Sequence, residues 1–433
     1  MRKVKIMKTY LQTIQIFSRD ARLYLLTNTI TSISYVGIYV MLFNLYLLHL
    51  GYGPTFIGLI NAAAQFGVVL FSLPAGLLGQ RWGSRRILIF GLSVATAGLG
   101  LVPLAEFLPT RWQAGWLLAT YIVAWLGGAA YVVNSLPFAM QVTTLVERTH
   151  LFSIREALVP LALVAGSLLG GLLPGWVAVR IGSTLADPAP YRYTLFLAAA
   201  LFGLAPLVML ATTRTQSDDP PPLASKGATR SKATAPIGVL GLMAVVMLLQ
   251  LAGKSITDTF FNVYLDVALH LPPSWMGALA AVAQLLVVPI ALVAPLIVMQ
   301  QGKGWTIITG TLGMAVSLVL LALFPHWGSA GLGLMAVSAL FAITTLAFTL
   351  YTQELVAPEW RSTMSGAMTM AMGLSRSMMA LGGGYLITSL GFATLFWVGA
   401  GLTLTGALLF WGYAWLPQRL VLYRRGMKAE PST

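Results

Sequence analysis

The sequence predicts an all-α, polytopic membrane protein, with twelve transmembrane helices forming two six-helix bundles related by a pseudo-two-fold repeat. Three observations carry this expectation. Of the 433 residues, 58% are hydrophobic and only 9% charged, where a soluble domain carries about 25% charged residues. Twelve apolar runs are each long enough to cross about 30 Å of hydrocarbon, which takes roughly 20 residues. The second half of the chain repeats the first. A water-soluble enzyme and a disordered chain are excluded by composition, and the lack of cysteine excludes a disulfide scaffold.

The runs begin near Leu23, Thr55, Ile87, Gln113, Phe152, Thr194, Ile237, Ser274, Thr306, Gly328, Ser362 and Thr394, and each ends at Gly, Pro or a charged cluster. The first is too long for the apolar core of a signal peptide and follows a long basic segment, so it is expected to be retained. The 26 Lys and Arg outnumber the 12 Asp and Glu, for a net charge of +14. With the N-terminus inside, 20 of these cations fall on inner segments and three, Arg111, Arg180 and Arg192, on outer loops. The positive-inside rule then places both termini in the cytoplasm and the chain in the cell membrane. The basic balance faces the anionic inner leaflet of the bilayer, not nucleic acid.

The longest polar stretch, residues 212–236, is rich in Pro, Ser, Thr, Lys and Asp and reads as a cytoplasmic linker. It separates an N-terminal bundle, 1–211, from a C-terminal bundle with a basic tail, 237–433. Phe43-Asn44-Leu45-Tyr46-Leu47 recurs as Phe261-Asn262-Val263-Tyr264-Leu265 at an offset of 218. At 219, Pro54 pairs with Pro273, Gly58 with Gly277, Gln65 with Gln284, Gly83 with Gly302 and Gly91 with Gly310. At 212, Gly170-Gly171 pairs with Gly382-Gly383. Parallel six-span repeats mark transporters built from two bundles around a central site.

The loop between runs two and three contains Gly76, Gln80, Arg81, Gly83, Arg85 and Arg86. It resembles the G-x-x-x-D-R-x-G-R-R signature of the major facilitator superfamily, with Gln80 in place of the usual Asp. The resemblance implies a gate at the inner face, in which glycine permits a tight turn and the cations bind helix carbonyl ends or acids. Ala162 to Gly171 in run five resembles the G-x-x-x-G-P-x-x-G-G motif of drug and metabolite exporters, with Ala162 and Ser167 as departures. Gly166, Ser167, Gly170 and Gly171 are small enough for close helix approach, which by itself accounts for them. The arginine that many proton-coupled members carry in run four is absent: Ala124 or Trp125 stands there.

Charges inside a bilayer cost at least about 2.5–3.5 kcal/mol each on insertion scales, so they are candidates for function. Lys254 and Asp258 lie at i, i+4 on one face of run seven, as a mutual pair or as a proton and substrate switch. Arg376 lies near the middle of run eleven with no acid nearby in sequence; Asp258 or Glu156 is its candidate partner. Arg155 is expected to snorkel to the surface, and the adjacent Glu156 to be more buried and a proton site. Asn28, Asn134, Gln250 and Tyr39 are candidate lining residues. Glu354, at the inner end of run ten, is expected to meet a loop arginine such as Arg81.

No metal cluster, catalytic group or phosphate-cradling loop is legible, so no enzyme activity, cofactor or metal is expected. The leading expectation is a monomeric secondary transporter working by alternating access, an antiporter for proton-coupled efflux of small apolar or amphipathic molecules. Alternatives are import or uniport of a polar or anionic solute through Arg376 and Lys254, and a lipid-handling or non-transporting membrane protein of the same fold.

Overall fold

A computed structural model describes residues 17–143, 145–213, 237–356 and 360–426. Residues 214–236 of the expected linker and residues 1–16 of the basic N-terminal segment lie outside the described residues, and all regular elements within the described residues are helical. In chain order these are α1 (Arg19–Thr31), a π-helical segment (Ser32–Tyr39), α2 (Val40–His49), α3 (Pro54–Trp82), α4 (Ser84–Leu101), a 3-10 turn (Val102–Phe107), α5 (Thr110–Gln141), α6 (Leu145–Ile181), α7 (Ala189–Phe202), α8 (Leu204–Leu210), α9 (Ile237–Gln250), α10 (Ala252–Val267), α11 (Pro273–Gln301), α12 (Lys303–Leu323), α13 (Trp327–Leu355) and α14 (Arg361–Gly426).

Helices begin before the apolar runs because local chemistry, not hydropathy, starts them. α1 starts at Arg19, four residues ahead of Leu23, because the Ser18 hydroxyl accepts from the Ala21 N–H at 3.1 Å and Asp20 occupies the first turn. α7 starts at Ala189, ahead of Thr194, with Pro190 in its first turn. In the loop before it, Asp187 accepts from the Ser183 hydroxyl at 2.7 Å and from the Thr184 N–H and hydroxyl, both at 3.0 Å. These bonds hold its carboxyl below the ordinary range.

Among the described residues, 11 helical stretches are long and apolar enough to cross a membrane. The last, Thr363–Ala414, has 52 residues, which as one straight helix would extend about 78 Å. It is broken at Gly391, at φ 84° and ψ 175°. Each side of that break is long enough for its own crossing, which is consistent with twelve passages.

The chain forms two compact units: Met1–Ser231 with His270–Leu285, and Lys232–Leu269 with Leu286–Thr433. In the first, the π-helical segment and α6 cross where side chains nearly vanish. A Cβ on Gly37 would lie 2.5 Å from Gly166 Cα, and one on Gly166 would lie 2.5 Å from Ile33 O. α4 meets α5 in the same way, at Gly91 with Gly127 and at Gly98 with Ala124. In the second unit α12 packs on α13, with Gly310 under Thr344 and Gly313 under Leu340. Without a hydrophobic drive between helices in lipid, such small-residue crossings supply the packing.

The repeat read from sequence carries the same conformations in both halves of the chain. Gly83 and Gly302 stand at the start of α4 and α12 with φ of 87° and 81°, values that only glycine adopts freely. Pro54 and Pro273 each open the following long helix, α3 and α11. At the offset of 218, Ser32, where span one turns π-helical, aligns with Gln250, where span seven breaks between α9 and α10.

Candidate functional site

The richest polar constellation of the second unit lies at that break. Leu251 separates α9 from α10 while staying in the right-handed helical region and donating to Met247 O at 3.0 Å, and nearby backbone groups find partners on α14: the Gly253 N–H donates to Thr403 Oγ1 at 3.1 Å, and the Ser375 hydroxyl donates to Leu248 O at 2.7 Å. Irregular backbone in a membrane helix requires such external partners. Because Ser375 is tied there, its neighbour Arg376 sits at the depth of Leu248–Gln250. Arg376 is half-buried and, among the described residues, has no carboxylate within ion-pair distance.

One turn along α10, Lys254 Nζ donates to Asp258 Oδ1 in an i, i+4 ion pair, with 16% of the lysine side chain and 44% of the aspartate side chain exposed. The same ammonium lies 5.8 Å from the centroid of the Phe341 ring on α13, close enough for cation–π attraction. Lys254 is thus neutralised within its own helix, and Arg376 is the mid-span cation left without an acid among the described residues. Neither Asp258 nor Glu156 pairs with Arg376.

Gln250 lines a narrow cavity with Met247, Leu251, Met314, Phe341, Thr344, Thr345 and Phe348. The residue is 4% exposed and its Nε2 has no hydrogen-bond partner.

In the first unit, Arg155 on α6 donates from Nε to Asn28 Oδ1 at 3.3 Å and from Nη1 to Glu156 Oε1 at 3.1 Å. Four sequence expectations are corrected here. Arg155 bridges α6 to α1, so it does not simply snorkel. Its pairing with Glu156 occurs although adjacent helical residues diverge by about 100°. Glu156 is exposed, at 73% of its side chain against 34% for Arg155, not the more buried of the two. Tyr39 does not line a cavity: it is fully buried and donates to Leu99 O at 2.8 Å. Asn134 is also tied up in packing, donating from Nδ2 to Ala75 O at 3.1 Å and Ala130 O at 2.9 Å, which staples α3 to α5.

The loop motif divides by role. Gln80, Arg81 and Arg86 are exposed, and Gly83 makes the turn. Arg85 is buried and turned inward on its own unit. Its Nε donates to Thr212 Oγ1 at 2.8 Å, and Nη2 donates to Thr212 O at 2.8 Å and Leu210 O at 3.1 Å. It therefore caps the carbonyl end of α8. Replacing it with alanine should destabilise the protein by about 2–3 kcal/mol, read as a lower thermal midpoint. An unchanged midpoint would show that the fork supports nothing. Gly76 has ordinary room, its Cβ position being 3.5 Å from Val133; the glycine that must stay bare is Gly79, which underlies Asn134 Oδ1. Glu354 pairs with Lys303, not with a loop arginine such as Arg81.

Gly166, Ser167, Gly170 and Gly171 pack. Gly170 lies against Gly37, and Gly171 lies 2.7 Å from Pro273 O and 3.0 Å from Gly277 Cα, measured from an added Cβ. Ser167 donates to Leu163 O at 2.8 Å.

Two ties had no sequence expectation. Asp20 accepts from the Thr213 N–H at 3.1 and 3.2 Å, and Arg192 pairs with Glu106 at 2.9 Å beneath Phe107 and Tyr193. Each joins positions far apart in sequence, so no local pattern announces it. No cluster of metal-ligating side chains occurs among the described residues.

The family model described as Major Facilitator Superfamily matches residues 24–380. No curated protein matches the sequence. Among solved structures the chain is similar to a D-xylose-proton symporter, with a TM-score of 0.73, 15% identity, and coverage of 93% of this chain and 97% of that one. It is similar to a mutant of the nucleoside transporter NupG, with a TM-score of 0.71, 15% identity and coverage of 91% and 99%. It is also similar to a mutant of the peptide transporter POT in complex with alafosfalin, with a TM-score of 0.70, 16% identity and coverage of 91% and 94%. At such identities the likeness is one of fold.

Proposed function

This chain belongs to the Major Facilitator Superfamily, and from that premise we propose that it is a proton-coupled secondary transporter, working by alternating access, for a polar solute bearing an anionic or electron-rich oxygen group. The observation that carries this reading is the charge arrangement at the broken helix. Lys254 and Asp258 neutralise one another, while Arg376, tied to the same depth through Ser375, has no acid among the described residues. An intramembrane guanidinium without a counter-charge is costly, and an incoming oxygen anion or dipole offsets that cost. Protonation of Asp258 would free Lys254, so proton and solute share one charge balance. The structural neighbours that carry D-xylose, nucleosides and peptides support polar cargo. The export expectation loses the support of its motif, because helix approach accounts for Gly166 to Gly171. By the charge bias of its loops the chain spans the cell membrane with both termini in the cytoplasm.

The test is uptake of labelled uridine, D-xylose and dialanine by proteoliposomes under an imposed pH gradient. At least one should accumulate, and Arg376→Gln should weaken its apparent affinity at least about tenfold, the value of one charge-assisted hydrogen bond. Gradient-independent flux, or an unaffected Arg376→Gln, contradicts the proposal. A second reading, efflux of an amphipathic molecule, is favoured by one observation: most residues lining the cavity beside Gln250 are Met, Leu or Phe. Flux driven out of an acid-outside vesicle would select it.

A further inference from the structure

Two buried polar atoms share the cavity at the break in span seven without a partner: Gln250 Nε2 and Thr344 Oγ1. Both residues are more than nine-tenths buried, at 4% and 3% exposure. Neither atom is spare by accident of geometry. Hydroxyls on these helices habitually donate to the carbonyl one turn back, as Thr352 does to Phe348 O at 2.9 Å and Thr311 to Ile307 O at 2.7 Å. Thr344 makes no such bond, and its hydroxyl is held over bare Gly310 on α12. An amide N–H and a hydroxyl left empty in hydrocarbon would each carry a full desolvation penalty. The space between the lining residues is about that of one water molecule.

We propose that Gln250 and Thr344 form a single-oxygen subsite, in which the amide of Gln250 donates to one uncharged oxygen that Thr344 Oγ1 also hydrogen-bonds. Water fills it in the empty protein, and a hydroxyl or carbonyl oxygen of the solute replaces that water on loading. The surrounding Met247, Leu251, Met314, Phe341 and Phe348 exclude other solvent, so the oxygen is held in a setting where hydrogen bonds strengthen and mismatches are penalised. Lys254 Nζ lies 5.8 Å from the ring centroid of Phe341, which lines the same cavity. The solute half of this assignment rests on the transport reading above; the water half does not.

The sign of a thermal shift decides it. Thr344→Val and Gln250→Met keep shape and remove one polar atom each. If an oxygen bridges the two, each variant melts about 2–4 °C lower, and the double variant melts less than the sum lower, because the bridge is lost once. If the atoms are truly orphaned, each variant melts higher and the shifts add, which overturns the subsite. Should Gln250→Met fail to accumulate, Thr344→Val alone carries the sign. A second arm separates the sources of oxygen, using uridine and D-xylose as probes. A probe that stabilises the wild type and binds about tenfold more weakly to both variants places a solute oxygen in the subsite. Equal stabilisation of wild type and variants by every probe, or by none, overturns the solute half and confines the site to water. Proton coupling enters neither arm, so a failure of the transport reading is recognised separately.

Discussion

Asp258→Asn should abolish acceleration of transport by a pH gradient, lowering the gradient-driven initial rate at least tenfold while solute exchange in the absence of a gradient persists. Lys254 Nζ has Asp258 Oδ1 as its ion-pair partner and is mostly buried. With a neutral amide at 258, the ammonium would stand without its partner inside the membrane, at about 2.5–3.5 kcal/mol on insertion scales. The substitution also removes the carboxylate whose charge a proton would exchange for, which coupling needs. Lys254→Met alone should also uncouple transport, because it removes the charge with which Asp258 pairs. The double variant Lys254→Met/Asp258→Asn restores charge balance, so it should regain the thermal stability lost by the single variants but not the coupling. Coupling that survives in Asp258→Asn would move the proton site elsewhere.

Gly166→Ala should be strongly disruptive. The added carbon would sit 2.5 Å from Ile33 O and 2.8 Å from Gly37 Cα. Both are backbone atoms of span one, with no side chain free to swing away. Forcing α6 off the π-helical segment costs about 3 kcal/mol or more, beyond the usual range for overpacked side chains because the backbone itself must move. The matched control lies on the same helix: Gly175 has nothing within 4 Å of its Cβ position. Gly175→Ala should be neutral or slightly stabilising, by at most about 1 kcal/mol. Yields and melting midpoints of the two variants in detergent check this. Equal behaviour would mean that the crossing is not built on glycine.

Much of the fold was legible because its signals are either local or repeated. Apolar runs longer than a bilayer are visible in any window, and the pairings of Gly83 with Gly302 and Pro54 with Pro273 correspond to shared backbone conformations. The candidate site was half legible. Spacing alone brought Lys254 and Asp258 together, because i, i+4 is a property of the helix. Arg85 looked like a gate residue because its partner, Thr212, lies 127 residues away. Asn134 looked like a lining residue because its need for Gly79 and Ala75 is set by the crossing of α3 and α5. Tyr39 and Glu156 were misjudged for one reason: hydropathy reports depth in a bilayer, not which side of a helix a residue occupies.

If the two repeats alternate access under control of the Asp258 charge, the distances across the two ends of the protein must respond to that charge in opposite senses. The chain has no cysteine, so introduced pairs report without background. Spin labels at Trp82→Cys with Trp305→Cys mark the ends of α3 and α12 near the turn glycines, and labels at Trp112→Cys with Trp327→Cys mark the opposite ends, at the starts of α5 and α13. All four positions are exposed. Pulsed electron spin resonance on both pairs, with Asp258 and with Asp258→Asn, should show the two distance populations shifting in opposite senses, by at least about tenfold in their ratio for a coupling of about 1.4 kcal/mol. Distances that shift in the same sense at both ends, or that do not respond to the substitution, would contradict it.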